Sequence, residues 1–267
     1  MTDFKAGAIL VFDKPLGWTS FQLVGKVRWM LCRAIGEKKL KVGHAGTLDP
    51  LATGVMVVCT GKATKRIEEL QLGAKEYTAR LQLGATTPSF DLEHEIDATF
   101  PTAHINAESV EQALAQFRGE IEQVPPAFSA CKIDGKRAYD LARKGHDVEL
   151  KAKRICIHEL ELLHFDPDAM TLDIRVCCSK GTYIRSLARD IGEALHSGAH
   201  LTALRRTKVG EYSVDHAFKD IGAFAQWLES ECPATQPQPQ QAQQAAQAQQ
   251  ATQPPQPPHA AQQAAQP

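Results

Sequence analysis

From Gly43 to Lys65 the chain reads Gly-His-Ala-Gly-Thr-Leu-Asp-Pro-Leu-Ala-Thr-Gly and then Val-Met-Val-Val-Cys-Thr-Gly-Lys-Ala-Thr-Lys. The second half of this stretch can only be a strand covered by protein, because it is apolar and mostly β-branched. The first half places one histidine, His44, and one carboxylate, Asp49, in a loop of residues small enough for a ligand to reach the backbone. A reactive side chain is commonly presented this way, on an irregular segment held by a rigid element. Pro50 has no amide hydrogen and biases Asp49 toward an extended conformation. Taken singly, an Asp-Pro pair only starts a turn and a loop histidine is only a polar group. The Thr60-Gly61-Lys62 tripeptide has the flavour of a phosphate loop, but Gly54 is too far back and Ala63 stands where Ser or Thr is needed, which excludes a Walker-type nucleotide site.

At 267 residues, 43% of them hydrophobic, the chain can bury a sizeable core in one or two domains. Its early apolar run, Ala6 to Phe12, is too short for a membrane helix and has neither a basic leader nor a cleavage site, so a cytoplasmic protein without membrane contact is expected. Seven cysteines are scattered without a Cys-x-x-Cys, which argues against a disulfide framework or a zinc site and for small buried hydrophobes. Cys177 and Cys178 would point to opposite faces of a strand. The net charge of -1 argues against a uniformly basic nucleic-acid binder, yet the charges segregate. From Lys14 to Arg66 there are ten basic residues against Glu37 and Asp49, and from Asp91 to Glu122 eight carboxylates against Arg118. Such segregation suits one face for a polyanion and another for solvent.

Ala8 to Phe12 reads as a buried strand and Asp13 to Gly17 as a turn. Ser20 can cap a helix with Phe21, Val24, Val27 and Leu31 at helical spacing. Further strands are expected at Val55 to Cys59, Tyr77 to Leu83, Arg154 to Phe165, Met170 to Cys178 and Val209 to Val214, with Gly84 to Asp91 as a polar turn region. Helices are expected at Ala107 to Arg118, stopped by Gly119, at Ala138 to Lys144, stopped by Gly145, and at Tyr183 to His196. In the last of these Tyr183, Leu187, Ile191 and Leu195 form the buried stripe. Arg185 and Arg189 lie off it near the helix start, where cations oppose the helix dipole and need a carboxylate or a phosphate as partner. Lys132 to Arg137 reads as a basic, hairpin-like turn suited to an arm over a phosphate backbone. From Pro233 the chain is Gln, Ala and Pro with almost nothing to bury, and is expected to be disordered.

Several of these stretches together resemble the TruB family, the tRNA pseudouridine-55 synthases. Asp13-Lys14-Pro15-Leu16-Gly17-Trp18-Thr19-Ser20 resembles the family's N-terminal motif, Gly43 to Gly54 its catalytic motif and Lys75-Glu76-Tyr77 its tyrosine motif. Gln123-Val124-Pro125-Pro126 through Gly135-Lys136-Arg137-Ala138-Tyr139 is similar to its RNA-gripping insertion. Gly181 to Leu187 with Leu204-Arg205-Arg206 is similar to its late motifs. The resemblance spans about residues 7 to 215 in one order, and the twelve-residue catalytic motif is too specific for chance.

The resemblance implies the pseudouridine synthase fold: an α/β (α+β) protein with a mixed, mostly antiparallel central sheet flanked by helices. It implies a catalytic domain over 1–228 with the RNA-gripping insertion at about 124–152. A tail over 229–267 stands where many members carry a small C-terminal RNA-binding domain. It also implies Asp49 as the catalytic carboxylate in an isomerisation that needs no cofactor or metal: the bond between uracil N1 and ribose C1′ breaks, the base turns, and C5 joins C1′. A carboxylate can act there as base or nucleophile. Either role needs Asp49 ionised in a dry pocket, where lost solvation penalises the charge and Arg185 beside it offsets the penalty. By the same resemblance Tyr77 stacks on the base, with its hydroxyl near sugar or proton. His44 serves the flipped nucleotide, Tyr183 and Leu204 line the uracil pocket, and Lys132, Lys136, Arg137 and the lysines around the loop hold phosphates.

The implied function is guide-independent conversion of the T-loop uridine of tRNA, with tRNA (its T-arm) as partner and the protein a monomer. A non-catalytic tRNA-folding chaperone and a guide-dependent RNA pseudouridine synthase stand as the alternatives.

Overall fold

The apolar run after Gly54 forms the centre of strand β3 (Ala52–Thr60), buried along almost its whole length. It is covered on both sides because its alternate residues enter different cores, Val55 and Val57 one and Met56 and Val58 another. The computed structural model describes residues 2–129, 132–133, 136–138 and 150–232, with 132–133 and 136–137 by backbone alone. They belong to one compact unit, Met1–Cys232. The helix expected after Ala138, its stop at Gly145 and the Gln/Pro/Ala segment beyond Cys232 lie outside the described residues.

The other strands are β1 (Ile9–Lys14), β2 (Val42–His44), β4 (Lys75–Leu83), β5 (Ala85–Thr86), β6 (Ala98–Thr99), β7 (Gly119–Gln123), β8 (Lys132–Ile133), β9 (Lys136–Arg137), β10 (Lys153–Asp166), β11 (Thr171–Cys178), β12 (Ala199–Val209) and β13 (Tyr212–Ser213). The helices are α1 (Ser20–Ala34), α2 (Ile67–Leu70), α3 (Ala107–Ala115), α4 (Ile184–Ala194) and α5 (Ile221–Glu231). Among the described residues nine strands form one sheet in the order β1-β3-β12-β4-β11-β10-β7, with β2 on β3 and β13 on β12. Every pair in it is antiparallel except β3 with β12. This is the expected mixed, mostly antiparallel sheet.

Helices cover the sheet where the sequence leaves apolar faces. Val110 and Leu114 of α3 and Leu187, Ile191 and the following Leu195 at α4 join the alternate inward residues of β4, β10, β11 and β12 in one core. Leu23, Val27 and Leu31 of α1 meet Phe224 and Leu228 of α5 over β1 and β3 in the other. Cys178 is buried and Cys177 half-buried on opposite faces, as adjacent strand residues must be.

Several expectations are corrected. β1 runs on through Asp13 and Lys14, which pair with Val55 and Gly54, so the turn begins only at Pro15. Thr19, not Ser20, caps α1, in a reciprocal capping box with Gln22. Phe21 faces solvent, and Leu23 takes its place inside. Gly119 both follows α3 and opens β7, an edge strand whose Glu-rich pattern hides it. β12 lies across a stretch given no secondary structure from sequence, and α5, capped by Asp220, was likewise not expected. The Thr86-Thr87-Pro88 region is not a solvated turn, for Thr87, Ser89 and Asp91 are buried.

Candidate active site

The loop between β2 and β3 hangs on buried donors. Ala45 donates its amide to Val57 O at 2.9 Å, and Gly46 turns with φ +104. Ser20, in the first turn of α1, accepts from the Leu48 amide and donates to the Leu48 carbonyl, both at 2.9 Å. From the other side comes Arg206 of β12, 2% exposed. Its Nε donates to Val55 O at 2.9 Å, Nη1 to Thr47 O at 3.3 Å and Nη2 to Gly46 O at 3.1 Å. Lys14 is also fully buried, and its ammonium donates to Pro15 O, Trp18 O and Pro50 O at 2.9, 2.7 and 3.4 Å. Gly54 is required where β3 meets β12: its φ is +104, and a Cβ would lie 2.1 Å from the Arg206 carbonyl oxygen. The residues on both sides of Asp49 are therefore fixed by hydrogen bonds to three different elements.

Asp49 faces the first turn of α4. Arg185 Nε meets Asp49 Oδ2 at 2.9 Å and Asp91 Oδ2 at 3.6 Å. The same guanidinium donates to Ser89 O at 3.2 Å and Phe128 O at 2.8 Å. A buried cation at a helix start thus finds the carboxylate partners that its position demands. Arg189, one turn later, pairs with Asp190, donates to Val124 O and packs over the Phe90 ring.

Asp49 and Arg185 open on a cavity of about 100 Å³, well above the roughly 10–15 Å³ that one water needs. Leu16, Leu51, Ala52, Leu92, Leu201, Ala203 and Leu204 supply its apolar lining, with Thr202 and Asp91 beside the pair. An apolar slot with two carboxylates on one arginine, of which Asp49 is the more exposed, can take a flat polar ring and bring a charged oxygen to its edge. The expected dry pocket is not there in the unliganded protein. Asp49 is 42% exposed at its side chain, because the loop presents it at the cavity mouth, and water would leave only when something fills the slot.

Of the residues singled out from sequence, Asp49, Arg185 and Leu204 line this one cavity. Tyr77 lies beneath it on β4, cross-strand from Arg206 and buried. Burial pushes its phenol up and the nearby charge of Arg206 acts against this. His44 ends β2, where burial pushes its imidazole down and the Gly46 backbone pulls the other way. Its Nδ1 has no hydrogen-bond partner among the described residues. Tyr183 caps α4, and its amide and carbonyl exchange hydrogen bonds with the Gln123 side chain at 2.8 and 3.1 Å. Lys132, Lys136 and Arg137 are on the two-residue strands β8 and β9, paired as a hairpin, and their side chains lie outside the described residues. Among those residues no group of three or more His, Cys, Asp or Glu is placed to hold a metal, and no helix is long and apolar enough to cross a membrane.

Sequence reasoning missed the roles of Asp91, Lys14, Ser20 and Arg206. Lys14 was counted among cations for a polyanion, yet it is sealed in the protein, while the other nine of that run are exposed. Asp91 was placed on the solvent-facing acidic side. The apolar run before Lys14 marks it as a strand end, but neither it nor Asp91 carries a sequence signal for the partners that bury it.

Lys14 gives a testable pH dependence. Burial, outweighing the pull of Asp49, lowers its pKa from 10.5 to about 8, and burial likewise lowers that of Lys75, buried on β4, to about 8. Between those values the unfolded chain holds protons that the folded one has released, so stability rises with pH across the window. Each lysine is expected to add about 2 kcal/mol between pH 8 and 10. Urea unfolding should show Lys14→Met losing about 2 kcal/mol of the rise between pH 8 and 10, and an unchanged slope would refute the assignment.

Residues 33–184 match the family model described as TruB family pseudouridylate synthase (N terminal domain), and residues 185–236 match that of the tRNA pseudouridylate synthase B C-terminal domain. The second match covers α4, β12 and α5, of which β12 is a central strand of the sheet. The chain is 66% identical over 231 residues to tRNA pseudouridine synthase B of Bacteroides thetaiotaomicron, covering 86% of this chain and 96% of that protein. It is 54% identical over 229 residues to the protein of the same name from Flavobacterium johnsoniae, covering 85% of this chain and 98% of that one. Among solved structures, a Cbf5-Nop10-Gar1 complex contains a chain 30% identical with a TM-score of 0.58, matched over 79% of this chain and 50% of that one. An archaeal box H/ACA Nop10-Cbf5 complex gives 26% and 0.59, over 85% and 55%. This chain spans about half the length of those two solved chains.

Proposed function

The chain belongs to the TruB family of pseudouridylate synthases, enzymes that isomerise uridine to pseudouridine in tRNA, and from that premise we propose that it acts on uridine 55 of the T-loop, without a guide RNA and as a cytoplasmic monomer, through Asp49. The observation that supports this most directly is the 2.9 Å contact of Arg185 with Asp49 at the mouth of an apolar slot. Arg185 engages Oδ2 and orients the carboxylate, which leaves the other oxygen for the substrate. A uridine folded within a T-loop cannot reach the slot, so the nucleotide is flipped out at a cost of a few kcal/mol. Leu204 and Tyr183 then contact the uracil, Tyr77 supports its face and His44 takes the space it vacated. With the base confined and water expelled, Asp49 acts as base or nucleophile while the bond from C1′ to N1 breaks. The freed uracil turns, C1′ joins C5, C5 gives up its proton and N1 takes one up, so no atom enters or leaves overall. Lys132, Lys136 and Arg137 hold phosphates of the T-arm.

The test is incubation of the purified chain with an unmodified tRNA transcript, with no guide RNA and no added cofactor, followed by mapping of pseudouridine. Product at position 55 is expected. Product only when a guide and partner proteins are supplied would favour the guide-dependent alternative, and tRNA refolding without product would favour the chaperone.

A further inference from the structure

Helix α1 buries Leu23, Val24, Val27 and Leu31. At about 3.6 residues per turn its outer arc is therefore Gln22, Gly25, Trp29 and Arg33, with Lys26 on one flank and Phe21 and Arg28 on the other. Phe21 is 76% and Trp29 54% exposed, and the three cations are exposed with them. The helix contains no acidic residue. Lys26 Nζ sits 4.7 Å and Arg33 Cζ 5.6 Å from the centre of the Trp29 ring, so one aromatic plate orders two long cationic side chains. Gly25 stands four residues from both Phe21 and Trp29, and a Cβ there would meet nothing within 4 Å. No packing inside the protein accounts for a residue so unfavourable in mid-helix, whereas close approach of another backbone does.

The start of this face is tied to the candidate active site. Ser20 exchanges hydrogen bonds with Leu48, Gly17 donates to Pro50 O at 2.8 Å, and Leu16 lines the Asp49 cavity. From that rim the 15-residue helix extends about 22 Å at roughly 1.5 Å per residue.

We propose that the outer face of α1 binds the ribose-phosphate backbone of the tRNA substrate beyond the cleft. Lys26, Arg28 and Arg33 meet phosphates, Gly25 admits the backbone close to the helix, and Phe21 packs on a ribose or an unpaired base nearest the cleft. Three cations without a carboxylate, continuous with the cleft, favour a polyanion over a protein partner. The inference rests on tRNA being the substrate.

The test uses the whole chain with the triple substitution Lys26→Ala, Arg28→Ala, Arg33→Ala and, separately, Gly25→Gln. On a tRNA transcript the triple variant should raise KM roughly tenfold at unchanged kcat, and flatten the plot of log KM against log salt by about 2 to 3. Gly25→Gln should raise the melting temperature yet also raise KM several-fold, a combination that a purely structural glycine would not give. Arg154→Ala, an exposed cation of β10 paired to Glu120, should leave KM as in the wild type. Wild-type KM and salt slope in the triple variant would overturn the proposal, as would a fall in kcat at constant KM. Filter binding of tRNA, read in parallel, separates the two ideas: a wild-type protein that makes no pseudouridine defeats the tRNA-modifying reading, while equal tRNA retention by wild type and triple variant defeats the surface.

Discussion

Asp49→Asn is expected to reduce pseudouridine formation in tRNA by about 10⁴-fold or more, the loss typical of a group that transfers protons or attacks covalently. The amide has the same shape but cannot act as base or nucleophile. Stability should hardly change, because Arg185 keeps Asp91 and the carbonyls of Ser89 and Phe128 when the Asp49 charge is gone. Affinity for tRNA should stay equal or rise slightly, since a negative charge has been taken from the path of a polyanion. Single-turnover assays, a melting curve and filter binding measure the three quantities. Product at more than a hundredth of the wild-type rate would remove Asp49 from the chemistry.

The second large effect is expected at Arg206, which touches no substrate in the reading above. Arg206→Met leaves the carbonyls of Gly46, Thr47 and Val55 without their buried donors. Three charge-assisted bonds, discounted for relief of the buried charge, suggest a loss of about 2–4 kcal/mol. In addition kcat should fall about 100-fold, the penalty for shifting a reacting group by about 1 Å, while KM changes little. Arg206→Lys separates support of the loop from bulk stability. Its ammonium cannot span three carbonyls as a planar fork does, so it should regain part of the stability but little of the kcat. A lysine variant with full turnover would show that the loop does not depend on the fork.

The legible part of the fold came from periodicity. β4 and β11 alternate cleanly because one face is buried and the other less so, β10 does so only between its register shifts, and α3 and α4 show their inward residues at helical spacing. β12 was obscured by Leu204-Arg205-Arg206-Thr207-Lys208, where cations stand in a central strand. Two of them are absorbed by structure: Arg205 pairs with Asp13, and Arg206 is sealed under the Asp49 loop. α5 carries Ile221, Phe224 and Leu228 at helical spacing behind the Asp220 cap, a pattern that sequence reasoning overlooked, and Phe224 and Leu228 meet α1 and β1. In the site, Asp49 and Arg185 stood out by motif, whereas Asp91 is a single aspartate in an acidic stretch.

The sequence by itself determined the loop of small residues, its carboxylate, the buried strand behind it and the need of Arg185 for an anionic partner. Those are local matters of side-chain size, period and charge. Tertiary structure alone decided which partner that was, for Asp49 and Arg185 are 136 positions apart and meet only because α4 begins against the loop. It also decided that Lys14 and Arg206 face inward. A cation's sequence neighbours do not say whether backbone carbonyls from other elements will converge on it, and such convergence is what makes burial of the charge tolerable.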